Sequence, residues 1–464
     1  MSRKTLLLFV VLLMSSCAQL SMPPVPGLAA GDIPAAFDQS AAPAAWPTQD
    51  WWQGFGSSEL VTLETAAQNA NLDVVQADAR LRQADARARQ AGATLLPTVA
   101  LNGNVQHFTG TTGSTTGSEG DYFAGIGASY ELDFWGKNRA GKLAADASLR
   151  ASRADHATVA LTVSSAVANG YFDLLSLRER SALARDNLGT AQTILTVVQR
   201  RVAAGYAPAS DLAQARAGVA AQAVTLPALA QQELEARIAL AILLGRPPQG
   251  FTITADSLAG ITAPEVAPGL PAGLLTRRPD LVAAEANLIA AHADIAVARA
   301  AMMPNITLTA DAGLQNPALN AAILTLEDAG LSLTLGAALT QTLFDGGRLH
   351  ARTAEAQARE QELLAAYRAA VLAAFGDVED ALGLLVNLSA QERALADQVT
   401  QTEGMLRAAR RKYTAGGTDL LEVTDAARSL SVARDQLADI HRAHLAASVV
   451  LYKALGGGWQ QPQQ

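Results

Sequence analysis

The 464-residue sequence predicts a membrane α+β fold: a β-barrel assembled from several copies of the chain, four strands from each, continued by very long helices. Three observations predict it. Four segments alternate oily with small or hydroxylic residues at a period of two, as strands between an apolar and a polar medium must. Two proline-free segments, 137–204 and 348–415, carry apolar stripes at helical spacing. The second half of the chain repeats the first at an offset of 207 to 211 residues, the mark of a duplicated architecture.

The strands are read at about 98–108, 122–134, 305–314 and 331–344. In the last of these, Leu331, Leu333, Leu335, Ala337 and Leu339 alternate with Ser332, Thr334, Gly336, Ala338 and Thr340. In the second, Tyr122, Ala124, Ile126, Ala128, Tyr130 and Leu132 oppose Phe123, Gly125, Gly127, Ser129, Glu131 and Asp133. Tyr122, Tyr130, Phe134 and Trp135 sit near the strand ends, where an interfacial aromatic girdle belongs. The Gly/Thr/Ser stretch 109–120 reads as an exposed loop joining the first two strands.

The helices follow from the remaining periodicity. Ser57 or Ser58 caps a helix that reads as continuous to about Leu95, stopped by Pro97. The first long helix carries the stripe Val159, Val163, Val167, Gly170, Leu174, Leu177 and ends at Gly205-Tyr206-Ala207-Pro208. The next, 211–244, contains Pro227, which predicts a kink or a half-helix junction. The second long helix carries Leu364, Tyr367, Val371, Phe375, Val378 and Leu382. At ~1.5 Å per residue, either long helix reaches about 100 Å. The resulting division is a signal at 1–16, a tether at 17–56, repeats at 57–245 and 274–456, a Pro/Gly-rich linker at 246–273 and a tail at 457–464. Trp46, Trp51, Trp52 and Phe55 are placed to pack the tether against the body.

Composition narrows the function. The net charge of −8 argues against nucleic acid as a partner. The six histidines are scattered and no phosphate loop or nucleophile motif is found, so the reading assigns no enzyme chemistry, no cofactor and no metal. Met302-Met303 is read as a pair of core methionines. At the N-terminus, Arg3-Lys4, the apolar run Leu6 to Met14 and Ser15-Ser16 form an export signal. Met14-Ser15-Ser16-Cys17 resembles a bacterial lipobox, which implies that Cys17, the one cysteine, is the acylated first mature residue and the point of lipid attachment.

Four strands cannot close a barrel, and lipid does not tolerate open edges. Two copies would supply eight strands and three would supply twelve, and a twelve-stranded barrel can leave a lumen. The small residues Gly125, Gly127, Ser129, Gly336 and Ala338 on the inner face favour a homotrimer. Glu131, Asp133 and Asp311 then face the lumen and make it acidic.

The motifs Tyr130-Glu131-Leu132-Asp133-Phe134-Trp135-Gly136, Arg277-Arg278-Pro279-Asp280-Leu281, Ala300-Ala301-Met302-Met303-Pro304 and Leu451-Tyr452-Lys453-Ala454-Leu455-Gly456-Gly457-Gly458-Trp459 resemble the TolC-like outer-membrane factor family, in its lipid-anchored branch. The resemblance covers essentially the whole mature chain. It implies a trimer with a twelve-stranded barrel, an α-helical periplasmic tunnel, a periplasmic adaptor protein and an inner-membrane pump of the resistance-nodulation-division (RND) type. It implies a passive exit duct for small toxic molecules, with an exit duct for type I protein secretion as the near alternative and a non-conducting coiled-coil stalk as the distant one. It also implies a gate at the tunnel's closed end, carried here by Asp211, Thr418, Asp419 and Glu422. The second turn departs from the family pattern, with Thr418 where aspartate is expected and Asp419 one place later. Ser210, Asp211, Thr418 and Asp419 read equally as helix caps and first-turn acids. The tip turns Gly205, Tyr206, Ala207, Pro208 and Gly416, Gly417 are the adaptor-docking candidates.

Overall fold

The computed structural model describes residues 33–38, 46–112, 115–264, 271–316 and 330–461. The export signal, Cys17 and most of the tether lie outside the described residues. The chain forms two compact units, one holding residues 81–152 and 284–367, the other the remaining described residues.

The first unit contains a four-stranded antiparallel sheet in the order β1 (Thr98–Thr112), β2 (Thr115–Leu132), β3 (Asn305–Asn316), β4 (Gly330–Thr340). Its register puts Leu101, Ile126, Ala312 and Leu333 in one row, and Val99, Ala128, Ala310 and Leu335 in another. Because successive side chains alternate across a strand, these rows share a face. The opposite face carries the rows Asn102, Gly125, Gly313, Ser332 and Thr98, Ser129, Thr309, Gly336. The oily face is uncovered: Leu101 is 85% exposed and Leu331 84%. An apolar sheet face of this extent is stable only against lipid or another protein.

The strands differ from the sequence reading at their ends, and each difference has a cause. The segment expected to loop over 109–120 is mostly strand, with β1 and β2 paired as far as Thr112 and Thr115. Ladder hydrogen bonds come from the main chain, so Gly, Thr and Ser can pair without an oily face. Strand β2 stops at Leu132, because Asp133 turns away to cap the following helix. Strand β4 stops at Thr340, and Leu343 and Phe344 lie beyond it, 92% and 90% exposed. Met303 is 38% exposed, so the methionine pair lies in a turn and not in a core.

The helix expected to run unbroken to Leu95 is two helices, α1 (Ser58–Ala70) and α2 (Leu72–Ala93), divided at Asn71. Asn71 is extended, and its Oδ1 accepts from the N–H groups of Asp73 and Val74 at 2.8 and 3.2 Å. An Asn side chain that accepts from the first-turn N–H groups, which have no carbonyl partner within the helix, makes a break cheap. The long helix α3 spans Lys137–Ala203, and α4 (Ala209–Leu243) continues through Pro227 as one helix. The second repeat supplies α5 (Pro279–Ala300), α6 (Arg348–Thr414) and α7 (Leu420–Ala454). Arg278, the counterpart of Asn71, is also extended and also separates two helical segments.

The second unit is organised around a core of Phe55, Leu60, Val167, Phe172, Leu174, Leu240 and Val449. Trp51 stacks on Tyr452 with ring centroids 5.1 Å apart, closing the start of the described body on its end. The segment after α4 is fixed by two charged side chains. Glu59 accepts from the Thr254 and Ala255 N–H groups at 2.6 and 3.1 Å. Arg178 donates to the carbonyls of Ile253 and Ala255 at 3.0 and 2.7 Å.

Two glycines express the internal repeat most directly. Gly245 ends α4 at φ 65°, and an added Cβ would overlap the Ala70 carbonyl. Gly456 ends α7 at φ 87°, and its Cβ would overlap the Arg277 carbonyl. Ala70 and Arg277 occupy equivalent places just before the two helix breaks. Gly245→Ala and Gly456→Ala are each expected to cost about 2 kcal/mol or more, from backbone strain plus overlap. Gly205→Ala, with open space around its Cβ, should cost only ~1 kcal/mol. Thermal unfolding of the purified variants checks this order.

Glu64 on α1 is fully buried, and neither carboxylate oxygen makes a well-formed hydrogen bond. Burial pushes its carboxyl up to about 8, with Ser164 opposing. The folded chain therefore keeps a proton that the unfolded chain releases between pH 4.5 and about 8. Stability should fall as pH rises through that window and level off above it. Glu64→Gln should flatten the dependence of the unfolding midpoint between pH 5 and 8; identical slopes in both proteins would contradict this.

Candidate channel wall and helical tip

The lumen candidates lie on or beside the polar face of the sheet. Asp311 sits in the row Ala100, Gly127, Asp311, Thr334, and both its carboxylate and the Asn102 amide lie over Gly127, where a Cβ would collide with them. Glu131 forms an ion pair with Lys137. Asp133 has left the strand: its oxygens accept from the N–H groups of Asn138 and Arg139, both at 2.9 Å, and it pairs with Arg139 at 3.1 Å. Two of the three expected lumen acids are thus neutralised locally, and Asp133 is the cap of α3. Asp345 repeats this role in the second half, accepting from Gly347 and Leu349, each at 3.0 Å. Trp135 donates its indole N–H to the Pro304 carbonyl at 2.8 Å, and Phe134 is 53% exposed, as a girdle aromatic should be.

The tip candidates lie in the second unit, where α3 meets α4 and α6 meets α7. Both long helices end alike. The Tyr206 N–H reaches back to the Arg201 carbonyl at 2.8 Å, and the Gly417 N–H to the Lys412 carbonyl at 2.9 Å. These are six-to-one closures with glycine at the left-handed position, Gly205 at φ 75° and Gly416 at φ 79°. Pro208 and Asp419 then occupy equivalent N-cap positions.

Each gate candidate has a defined place. Asp419 caps α7, accepting from the Glu422 N–H at 3.1 Å. The Thr418 hydroxyl donates to Glu422, and Lys412 pairs with it at 3.4 Å, which together hold its carboxyl below the usual range. Asp211 is a first-turn acid of α4, the repeat-equivalent of Glu422, and Ser210 is not the cap. Ala207 is half-buried, whereas Gly205, Tyr206, Pro208, Gly416 and Gly417 are exposed.

The structure adds a pair that the sequence reading missed. The Arg201 guanidinium lies 4.4 Å from the Tyr413 ring centroid, and its Nη1 donates to the Tyr413 carbonyl at 2.9 Å. Cation–π attraction and a charge-assisted bond act together here. Tyr413 belongs to a core of Val198, Ala215, Leu406, Leu420 and Leu430, which joins the two hairpin ends, and its buried hydroxyl has no hydrogen-bond partner among the described residues. A signal existed: basic pairs Arg200-Arg201 and Arg411-Lys412 precede both turns at an offset of 211. Among the described residues no group of three or more His, Cys, Asp or Glu is arranged to hold a metal ion.

A duplicated chain with an amphipathic sheet, two unpaired sheet edges and long helical hairpins ending in matched turns defines a subunit of an oligomeric β-barrel channel. Comparison with known proteins agrees. The family model described as outer membrane efflux protein matches residues 63–246 and 270–457. The pyoverdine export outer membrane protein OpmQ of Pseudomonas aeruginosa is 40% identical over 94% of this chain and 95% of its own. The cation efflux system protein CusC of Escherichia coli O6:H1 is 32% identical over 89% of this chain and 88% of its own. The outer-membrane channel OprN superposes with a TM-score of 0.87 at 26% identity, covering 95% of this chain and 99% of that one.

The chain belongs to the outer membrane efflux protein family. Its fold is that of a trimeric channel in which four strands per chain make a twelve-stranded barrel and the two repeats build a long α-helical barrel. It is the outer-membrane component of a tripartite efflux system.

Proposed function

We propose that this protein is a passive duct for small molecules, closed at its helical tip and opened when a periplasmic adaptor, coupled to an RND-type inner-membrane pump, engages that tip. One observation carries the reading: both hairpins of the chain converge on a single small core held by Arg201 and Tyr413. A clasp between two helical hairpins is a two-state element, closed while it holds and open when the hairpins part. Around it, Asp211, Thr418, Asp419 and Glu422 act as gate residues: Asp419 caps α7, Thr418 bonds Glu422, and Asp211 stands in the first turn of α4. Gly205–Pro208 and Gly416–Gly417 are the docking turns. Cys17 carries the acyl chains that anchor the protein in the outer membrane.

The cargo is a small molecule selected by the pump. The 40% identical relative is named for export of pyoverdine, so a secreted chelator of that kind is the first cargo to test. Deletion of the gene should trap the cargo in the periplasm, and the intact gene should restore its release. Normal export in the deletion strain would remove the efflux assignment. Purified trimers in planar bilayers should conduct poorly when wild type. Arg201→Ala or Tyr413→Ala should raise conductance several-fold. Unchanged conductance with intact trimers would leave the clasp a packing contact only.

A further inference from the structure

We propose that the tip surface is an arginine-and-tyrosine platform that recognises an acidic segment of its periplasmic protein partner. The inference rests on the docking reading above and specifies the partner's chemistry.

The charge distribution points this way. Residues 200–216 and 410–428 hold seven Lys/Arg against four Asp/Glu, within a chain of net charge −8. A helix C-terminus attracts cations, so basic residues there have an ordinary explanation. That explanation uses up only part of the set. Arg201 is committed to Tyr413, and Lys412 to Glu422. Arg200, Arg410 and Arg411 remain exposed and form no ion pair with any described residue. Of the four acids, Asp419 caps α7 and Glu422 is bonded by Thr418 and Lys412, which leaves Asp211 and Asp425 against Arg200, Arg410 and Arg411.

Tyr206 is the second, independent observation. It stands one residue past the left-handed Gly205, the place whose side chain usually packs back on the helix. Here it is 79% exposed. An aromatic residue left in solvent beside unpaired arginines has the composition of a protein-interface hot spot, in which Tyr and Arg are enriched. Long-range attraction from the arginines would steer an acidic partner, and the ring would supply the anchoring contact. A lipid surface is a different occupant for the same chemistry, and the experiment separates the two.

Mature acylated trimer in nanodiscs is assayed for binding to purified periplasmic adaptor proteins of RND-type systems from the same organism, at about 50 and 300 mM salt, where surface charges are screened to different extents. Three proteins are compared: wild type, the triple variant Arg200→Glu, Arg410→Glu, Arg411→Glu, and Tyr206→Ala. Thermal midpoints confirm that each is folded, and the triple variant with Gln in place of Glu guards against a fold defect. Wild type should weaken at least tenfold between the two salt concentrations. The charge-reversed variant should bind at least tenfold more weakly at low salt and lose its salt dependence, with the Gln variant in between. Tyr206→Ala should bind more weakly at both salts. Adaptor binding that ignores salt and all the variants would overturn the inference while leaving docking intact. Capture of phosphatidylglycerol vesicles by wild type but not by the charge-reversed variant, with adaptor binding unaltered, would reassign the platform to a membrane surface. No adaptor binding by wild type would remove both the inference and the docking reading.

Discussion

The constraint on which this structure depends is the pairing of main-chain polar groups in lipid. A peptide N–H or C=O left unpaired in hydrocarbon costs several kcal/mol, so a sheet in a membrane must have no edge. The single chain offers a sheet with two edges, β1 and β4, each bonded on one side only. Its oily face is bare, and the opposite face is small and polar. Such a sheet has one way to satisfy both faces and both edges, which is closure with other copies around water. Trimerisation is therefore a condition for this sheet to exist in a membrane, and the channel is its consequence.

The internal duplication extends that logic to the helices. Each repeat feeds a hairpin of strands into a long helix through a capping aspartate, Asp133 in the first and Asp345 in the second. Each ends its last helix on a glycine pressed against a carbonyl of the first helical segment. These matched contacts recur at equivalent places in the two halves. The halves also differ at the tip, where Pro208 corresponds to Asp419 and Tyr206 to Gly417.

The fold was legible because its signals are local. Period-two alternation and the absence of proline over 67 helical residues are properties of neighbouring positions, and the repeat offset is read by laying one half of the sequence on the other. Legibility failed where composition and main-chain pairing part company. The Gly/Thr/Ser run after Phe108 looks like a loop because loops use those residues, yet a ladder needs only their backbones. The break at Asn71 was hidden inside an Ala- and Gln-rich helical stretch, although Asn before Leu-Asp is a capping pattern. Alternation placed Asp133 with the lumen acids, since it cannot say where a strand stops. The clasp between Arg201 and Tyr413 joins residues 212 apart in sequence, and the Glu59 bond to Thr254 joins residues 195 apart. No local pattern reports such pairs, and only the repeated basic residues before each turn hinted at the first.

The subunit stoichiometry of the purified mature protein, measured by native mass spectrometry from detergent micelles, addresses the central claim most directly. Three chains in one complex, stable only while detergent covers the apolar sheet face, is the result that edge closure requires. A monomer that stays soluble and folded without detergent would show that the sheet has found another way to cover itself, and the channel would have no wall.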